Sequence, residues 1–322
     1  MRAMVMEELG RRPAMTTVPD PSPGDGEVLV RLRAAALNRR DLYITQGLYP
    51  GVRVPVVLGS DGVGDYDGRR VLIEPGIGWG DREDVQHADY EVLGMPRDGT
   101  FAEAVAVPRA NVHDCPAHLT DAEAAALPLA GLTAFRALFT RASAKTGDAV
   151  LVTGAGGGVA TFAIQFAAAA GCRVYVTSGS ADKIAAAEAL GAAGGVNYRD
   201  DDWPERLRAL AGGLDCVVDG AGGPGFTALT KLMRPGGRMA FYGGTTGKIP
   251  ALSPQLLFWR QLTLAGSTMG SPREFARMLA FVTRHELRPV VDSVHPLGEL
   301  DAALDRMAAG AQRGKLVLDV RR

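Results

Sequence analysis

The sequence predicts an α/β fold in two parts, a β-rich domain and a doubly wound parallel sheet. The N-terminal part reads as short strands broken at close intervals by proline and glycine. From Thr120 onward strands and helices alternate, as βαβ units require. Within that alternation a buried strand runs through Gly154-Ala155-Gly156-Gly157-Gly158 straight into a helix.

In the first part, EVLVRLRAAAL sets Val28, Val30 and Leu32 against polar neighbours, the period-two pattern of a half-buried strand. Asp67-Gly68, a favoured hairpin turn, separates Val63–Tyr66 from Arg69–Ile73. TFAEAVAVP adds a short strand stopped at Pro108. A capping box, Thr120 with Glu123, opens an apolar helix through TDAEAAALPLAGLTAFRALF. Beyond it the pattern predicts strands over Ala149–Thr153, Arg173–Thr177, Cys216–Asp219 and Arg238–Tyr242. Helices are expected over Val159–Ala170, Ala181–Leu190 and Thr227–Met233, with Leu207–Leu210 in another. Pro272–Thr283 and Leu300–Ala308 read as helices and GKLVLDV as a last strand, which is expected to return to the first domain. The expected division is 1–122, 123–265 and 266–322, without internal repeats.

The glycine loop carries the chemistry. Gly154 allows a tight turn, and Gly157 and Gly158 let the backbone approach a pyrophosphate. The unpaired amides and positive end of the helix opening near Val159 then face the phosphates. Gly154, Gly156, Gly157, Gly158 and Val159 are therefore candidate dinucleotide-binding residues, and Ala160 is small enough for helix to pack on strand. The alternative is a glycine-rich turn in an unliganded α/β domain. An acid ending the second strand would hold a ribose 2′-hydroxyl; YVTSGSADK offers Ser178, Gly179, Ser180 and then Lys183. Hydroxyls and a lysine suit a 2′-phosphate, so NADP(H) is the expected cofactor, although Lys183 also reads as a solvated helix residue.

At 322 residues the chain exceeds one ordinary core, and 47% hydrophobic with 22% charged residues is a globular composition. A net charge of -1 removes the electrostatic case for nucleic acid or an anionic membrane as partner. MRAMVMEELGRRPAM holds no apolar run suited to a signal peptide, and no segment reaches the length of a membrane span. Cys115, Cys172 and Cys216 are an odd count, against a disulfide framework. A reduced, cytoplasmic protein is expected.

LNRRDLYITQGLYP, LGSDGVG, GTFAEAVAVP, AAALPLAGLTAFRAL, VLVTGAGGGVA, VNYRDDDW, DCVVDGAGG, RPGGRMAFYGG, GSTMGS and GKLVLD follow one another over almost the whole chain. In that order they resemble the medium-chain dehydrogenase/reductase superfamily, specifically its zinc-independent quinone-oxidoreductase-like branch. The resemblance implies a GroES-like catalytic domain split around a Rossmann cofactor domain, with NADP(H) beneath a cleft between them. It implies that Asn38, Asp41 and Tyr43 form a polar wall near the nicotinamide and that Tyr49 is a lid over the substrate. Thr133 resembles a carboxamide contact, and Tyr198 a residue stacking near the adenosine 2′-phosphate. Tyr242, Gly243, Gly244, Ser267, Thr268 and Met269 look like loops around the nicotinamide ribose and ring. Lys315 resembles a cofactor contact from the returning C-terminal segment. Core packing is the other reading of each tyrosine.

Zinc-dependent members of this superfamily place a cysteine and a histidine where this chain has Asn38 and Ser60, and LPLAGLTA supplies no third ligand. PGIGWGDREDVQHADYEVLG keeps the length of their cysteine-held lobe without a cysteine, so it is expected to be a mobile loop. No metal site is expected; His113, Cys115 and His118 in HDCPAH are three ligand types without a fourth. DYDGRR shortens an excursion that relatives carry after Gly64.

The expected activity is NADPH-dependent reduction of a quinone or α,β-unsaturated carbonyl, in which a delocalised enolate lessens the need for a Lewis acid. Asn38, Tyr43 or a ribose hydroxyl would donate to that oxygen, Tyr43 or water would protonate, and Asp41 would orient its neighbours. The alternatives are an alcohol or aldehyde dehydrogenase and a non-catalytic NADP(H)-binding redox sensor. The partner is a small carbonyl or quinone, and the resemblance implies a homodimer.

Overall fold

The computed structural model describes Met1–Arg322. The residues fall into two units, Met1–Leu132 with Gly270–Arg322, and Thr133–Met269. Residues 123–132, expected in the second domain, thus group with the first. The reason is packing: the capped helix Asp121–Ala126 lies on the strands Glu27–Ala36, Asp61–Tyr66 and Lys315–Asp319. The single helix expected from Thr120 is also interrupted. It stops at Ala126 and resumes at Pro128, because proline has no amide to continue the ladder.

The first unit is built on a seven-stranded sheet. Its path runs Val112–Asp114, Arg69–Ile73, Asp61–Tyr66, Glu27–Ala36, Lys315–Asp319 and Val291–Pro296, with Ala104–Pro108 also pairing to Glu27–Ala36. A three-stranded sheet joins Ala14–Thr17, Arg2–Met6 and Val56–Val57. The long strand Glu27–Ala36 alternates in burial up to Arg33 and then buries Ala34, Ala35 and Ala36 together. Asp67 and Gly68 both take positive φ, 52° and 69°, which is the turn that a two-residue hairpin needs. A side chain at Gly64 would run into the Arg31 carbonyl, so this glycine permits the close approach of the two strands.

The second unit is a six-stranded parallel sheet. Its order is Ala192–Asn197, Arg173–Ser178, Ala149–Thr153, Leu214–Asp219, Met233–Phe241 and Thr263–Gly266. Ala149–Thr153 is buried at every residue, as a central strand covered on both faces must be. The strand order reverses beside it, and that switch point is where open parallel sheets bind ligands. The fifth strand begins at Met233, earlier than the expected Arg238, because Leu214 already pairs with Met233 before the register shifts. No helix is long and apolar enough to cross a membrane.

Candidate functional site

The polar centre of the first unit forms where three segments meet. Asn38 is the extended residue before the helix Arg39–Thr45, and its amide donates to Asp41 Oδ2 at 2.7 Å. Asp61 opens the strand Asp61–Tyr66, and Lys315 opens Lys315–Asp319. Lys315 Nζ donates to Asn38 Oδ1 at 2.7 Å and to Asp61 Oδ2 at 2.8 Å. Asn38 Nδ2 closes the ring by donating to Asp61 Oδ2 at 2.9 Å. The other Asp61 oxygen accepts the Leu129 amide at 2.8 Å, and Thr100 Oγ1 donates to the Asp61 carbonyl at 2.8 Å.

Asp41 has no exposed surface, and its Oδ1 has no hydrogen-bond partner. Burial pushes its carboxyl up to about 6, against the opposing pull of the Arg40 charge, the Asn38 amide and the Lys315 ammonium. Ser60 is fully buried; its hydroxyl donates to the Leu93 carbonyl at 2.7 Å and accepts from Arg40 Nη1 at 2.7 Å. Arg40 also donates to the Leu93 and Met95 carbonyls, and its guanidinium carbon lies 5.2 Å from the centroid of the Tyr49 ring. Tyr43 is half-buried on the same helix.

Asn38, Asp41 and Ser60 therefore come together, and Lys315 joins them. Sequence reasoning passed over Arg40 and undervalued Asp61. Nothing in the spacing of NRRD signals that one arginine folds back on Ser60. These residues do not fit zinc. A cationic side chain faces each of the two candidate ligand atoms, Asn38 Oδ1 and Ser60 Oγ, and no group of three His, Cys, Asp or Glu side chains is placed to hold a metal.

The cysteine-free lobe is closed by other means. Gly76–Ile77 pairs with Glu91–Val92, and the Trp79 and Tyr90 rings meet edge to face at 5.1 Å. Trp79 is 3% exposed, and its indole donates to the Arg82 carbonyl at 2.8 Å. The segment expected to be a mobile loop is thus plugged by aromatic rings. The HDCPAH residues diverge: His113 meets Glu74 Oε2 at 3.0 Å and His118 meets the Leu287 carbonyl at 3.0 Å. Burial pushes the Glu74 carboxyl up, and burial likewise raises the Cys115 thiol.

In the second unit the glycine loop follows the strand Ala149–Thr153. Gly154 has φ 69° with open space where a side chain would stand, and Gly157 is the extended cap of the helix Gly158–Ala169. No side chain caps that helix, so its first-turn amides at Gly158 and Val159 remain available to an anion. The Lys183 side chain crosses the loop: a methyl group on Gly156 would lie 2.5 Å from its Cδ. At the end of the next strand Ser178 is buried, and a methyl group on Gly179 would lie 2.8 Å from Arg199 Nε and 2.9 Å from Tyr198 Oη. Ser180 is the extended residue before the helix Ala181–Ala189, and its side chain makes no capping bond. Arg199 was not foreseen; its signal was the RD that follows Tyr198 in NYRD.

Across the switch point Asp219, fully buried, accepts Thr153 Oγ1 at 2.7 Å and the amides of Ala221 and Gly222. This clamps the ends of the two central strands. Burial and the Asp219 charge push the Tyr242 phenol well above its usual range, so it stays a neutral donor. Gly243 passes so close to Gly220 that a methyl group there would lie 2.7 Å from its carbonyl, while Gly244 and Thr268 are not buried. Ser267 Oγ is buried without a partner, and Thr133 Oγ1 lies 3.9 Å from the sulfur of Met269. An uncapped glycine-led helix, an orphaned serine hydroxyl, Lys183 beside Gly156 and Arg199 beside Gly179 fit a nicotinamide dinucleotide.

Comparison with known proteins agrees with this architecture. Residues 24–117 match the alcohol dehydrogenase GroES-like domain and residues 158–284 match the zinc-binding dehydrogenase family. A zinc-type alcohol dehydrogenase-like protein of Leptosphaeria maculans is 35% identical, covering 95% of this chain and 94% of its own. A solved NAD-dependent alcohol dehydrogenase superposes with TM-score 0.94 at 39% identity, over 99% of this chain and 100% of that one. The quinone oxidoreductase of Thermus thermophilus, solved alone and with NADPH, gives TM-score 0.84 at 32% identity over 99% and 100%. The chain belongs to the medium-chain dehydrogenase/reductase superfamily and is an oxidoreductase of that family.

Proposed function

We propose that the protein reduces the activated double bond of a quinone or α,β-unsaturated carbonyl with NADPH, without zinc. The observation that supports this most is the occupation of Asn38 and Ser60 by Lys315 and Arg40. A ketone or alcohol oxygen gains most from a Lewis acid, whereas a conjugated acceptor places its charge on an enolate oxygen that hydrogen bonds can hold.

When bound, NADPH would supply the hydride, held by the amides opening the helix Gly158–Ala169 and by the loops at Tyr242 and Ser267. Asn38 Nδ2 keeps one hydrogen beyond the one given to Asp61 and serves as donor to the enolate oxygen. Tyr43 or water returns the proton to carbon. Asp41 fixes the start of its helix through the Asn38 amide. Lys183, Tyr198 and Arg199, gathered at Gly156 and Gly179, favour the 2′-phosphate. A homodimer through the sheet edge Thr263–Gly266 is supported by Phe258 and Trp259 beside it in sequence, 64% and 83% exposed.

The second reading, an alcohol dehydrogenase using NAD, is favoured by the 39% identity to such an enzyme. Turnover of metal-analysed protein on quinones, enones, alcohols and aldehydes with each cofactor decides between them. Enone or quinone reduction preferring NADPH, with metal well below stoichiometric, is expected. Alcohol oxidation with NAD and one tightly bound zinc per chain overturns the proposal.

A further inference from the structure

We infer that Lys315 is a positioning residue: with Asp61 it locks the Asn38 carboxamide in one orientation and so aims its spare hydrogen at the substrate oxygen. The inference rests on the reading of the reaction above, but its geometry stands by itself. An ammonium only donates and an ionised carboxylate only accepts. The Asn38 amide sits between one of each, Oδ1 at 2.7 Å from Lys315 Nζ and Nδ2 at 2.9 Å from Asp61 Oδ2. Turning the amide over would set donor against donor on one side and acceptor against acceptor on the other. The network therefore fixes which end of the amide is the nitrogen.

Each partner is itself held. Asp61 is pinned by Leu129 and Thr100, as above. Lys315 opens a strand whose Val317 pairs with Ala36, and the Leu37 amide donates to the Leu316 carbonyl at 2.9 Å, one residue before Asn38. Lys315, Asp61 and Asn38 are 3%, 0% and 7% exposed, so water competes little for these bonds. Of the two Nδ2 hydrogens, Asp61 takes one and the other has no acceptor in the protein.

A cofactor contact and a positioning role predict opposite results for Lys315→Met in the full-length protein. Three quantities separate them: NADPH affinity by fluorescence titration, kcat and KM on an enone, and exchange of the Asn38 side-chain NH2 in 15N-labelled protein, assigned by its loss in Asn38→Asp. Loss of an aligned donor predicts a fall in kcat of about 10²-fold, with NADPH affinity and KM changed by less than about threefold. The Asn38 NH2 exchanges about tenfold faster once its orientation is released, and Lys315→Arg, which keeps a cationic donor, recovers part of the kcat. Weakened NADPH binding with kcat retained, or unchanged kcat and unchanged exchange, overturns the inference.

If Lys315→Met does not fold, Lys315→Met with Asp61→Asn removes both buried charges at once and is expected to show the same kcat loss. Parent-like kcat in that double variant overturns the inference. If the parent protein reduces no conjugated carbonyl, the reading of the reaction fails; the exchange of the Asn38 NH2 still decides the role of Lys315, and parent-like exchange in Lys315→Met overturns it.

Discussion

Lys315 Nζ lies 2.8 Å from Asp61 Oδ2, with the two side chains 3% and 0% exposed. They are 254 residues apart in sequence, so the last strand of the chain is tied by charge to the turn that opens Asp61–Tyr66. A buried ion pair adds little net stability over an apolar pair, but losing one partner strands the other's charge.

Asp61→Ala leaves the Lys315 ammonium buried without its carboxylate, and it also removes the bond that Asp61 accepts from the Leu129 amide. Urea denaturation is expected to show a loss of about 3–5 kcal/mol. A loss below about 1 kcal/mol would mean that the pair is solvated in the folded protein.

Asp41 makes stability depend on pH. Its folded-state carboxyl titrates at about 6, above the ordinary 3.8, so the folded protein holds that proton more tightly than the unfolded chain. Its contribution therefore falls as pH rises from about 4 to about 6 and then levels. Relative to the parent, Asp41→Asn is expected to gain on the order of 2–3 kcal/mol between those limits. Denaturation midpoints of both proteins across pH 4–7 test this; parallel curves would refute it.

Arg199 stands against Gly179 at the end of the second strand of the parallel sheet. If it holds a 2′-phosphate, Arg199→Ala weakens NADPH by about 10–100-fold, the worth of a charge-assisted hydrogen bond. NADH affinity stays unchanged. Equal weakening of both cofactors would place Arg199 elsewhere.

Trp79 fills the lobe that carries no cysteine. Trp79→Ala removes its edge-to-face contact with Tyr90 and leaves a cavity, at a cost of about 3–5 kcal/mol for the site. Hydrogen exchange is expected to rise across residues 76–92, and added zinc does not reverse it. Unchanged protection there would show that other contacts hold the lobe.

The second unit was the more legible half. Gly154–Gly158 between a buried strand and a helix announces the sheet and the proposed dinucleotide loop, because that proposal rests on backbone amides rather than on distant side chains. The Asp67-Gly68 turn and the Thr120–Glu123 capping box were equally local signals, and the structure has both. What resisted reading depends on distant pairing. Lys315 was expected as a cofactor contact, and only the register of its strand brings it to Asn38; Arg40 folds onto Ser60 while the adjacent Arg39 donates to the Met307 carbonyl at 3.4 Å. The break at Pro128 was visible as a proline, but only the packing of Asp121–Ala126 assigns that helix to the first unit.

The most direct test of zinc-free conjugate reduction is to follow the label from NADPH deuterated at the transferring C4 position into an enone, with metal-analysed protein and a chelator present. Deuterium on the β-carbon of a saturated ketone, at a rate the chelator leaves unchanged, is the predicted result. Deuterium on the carbonyl carbon of an allylic alcohol, or activity that tracks bound zinc, would contradict it.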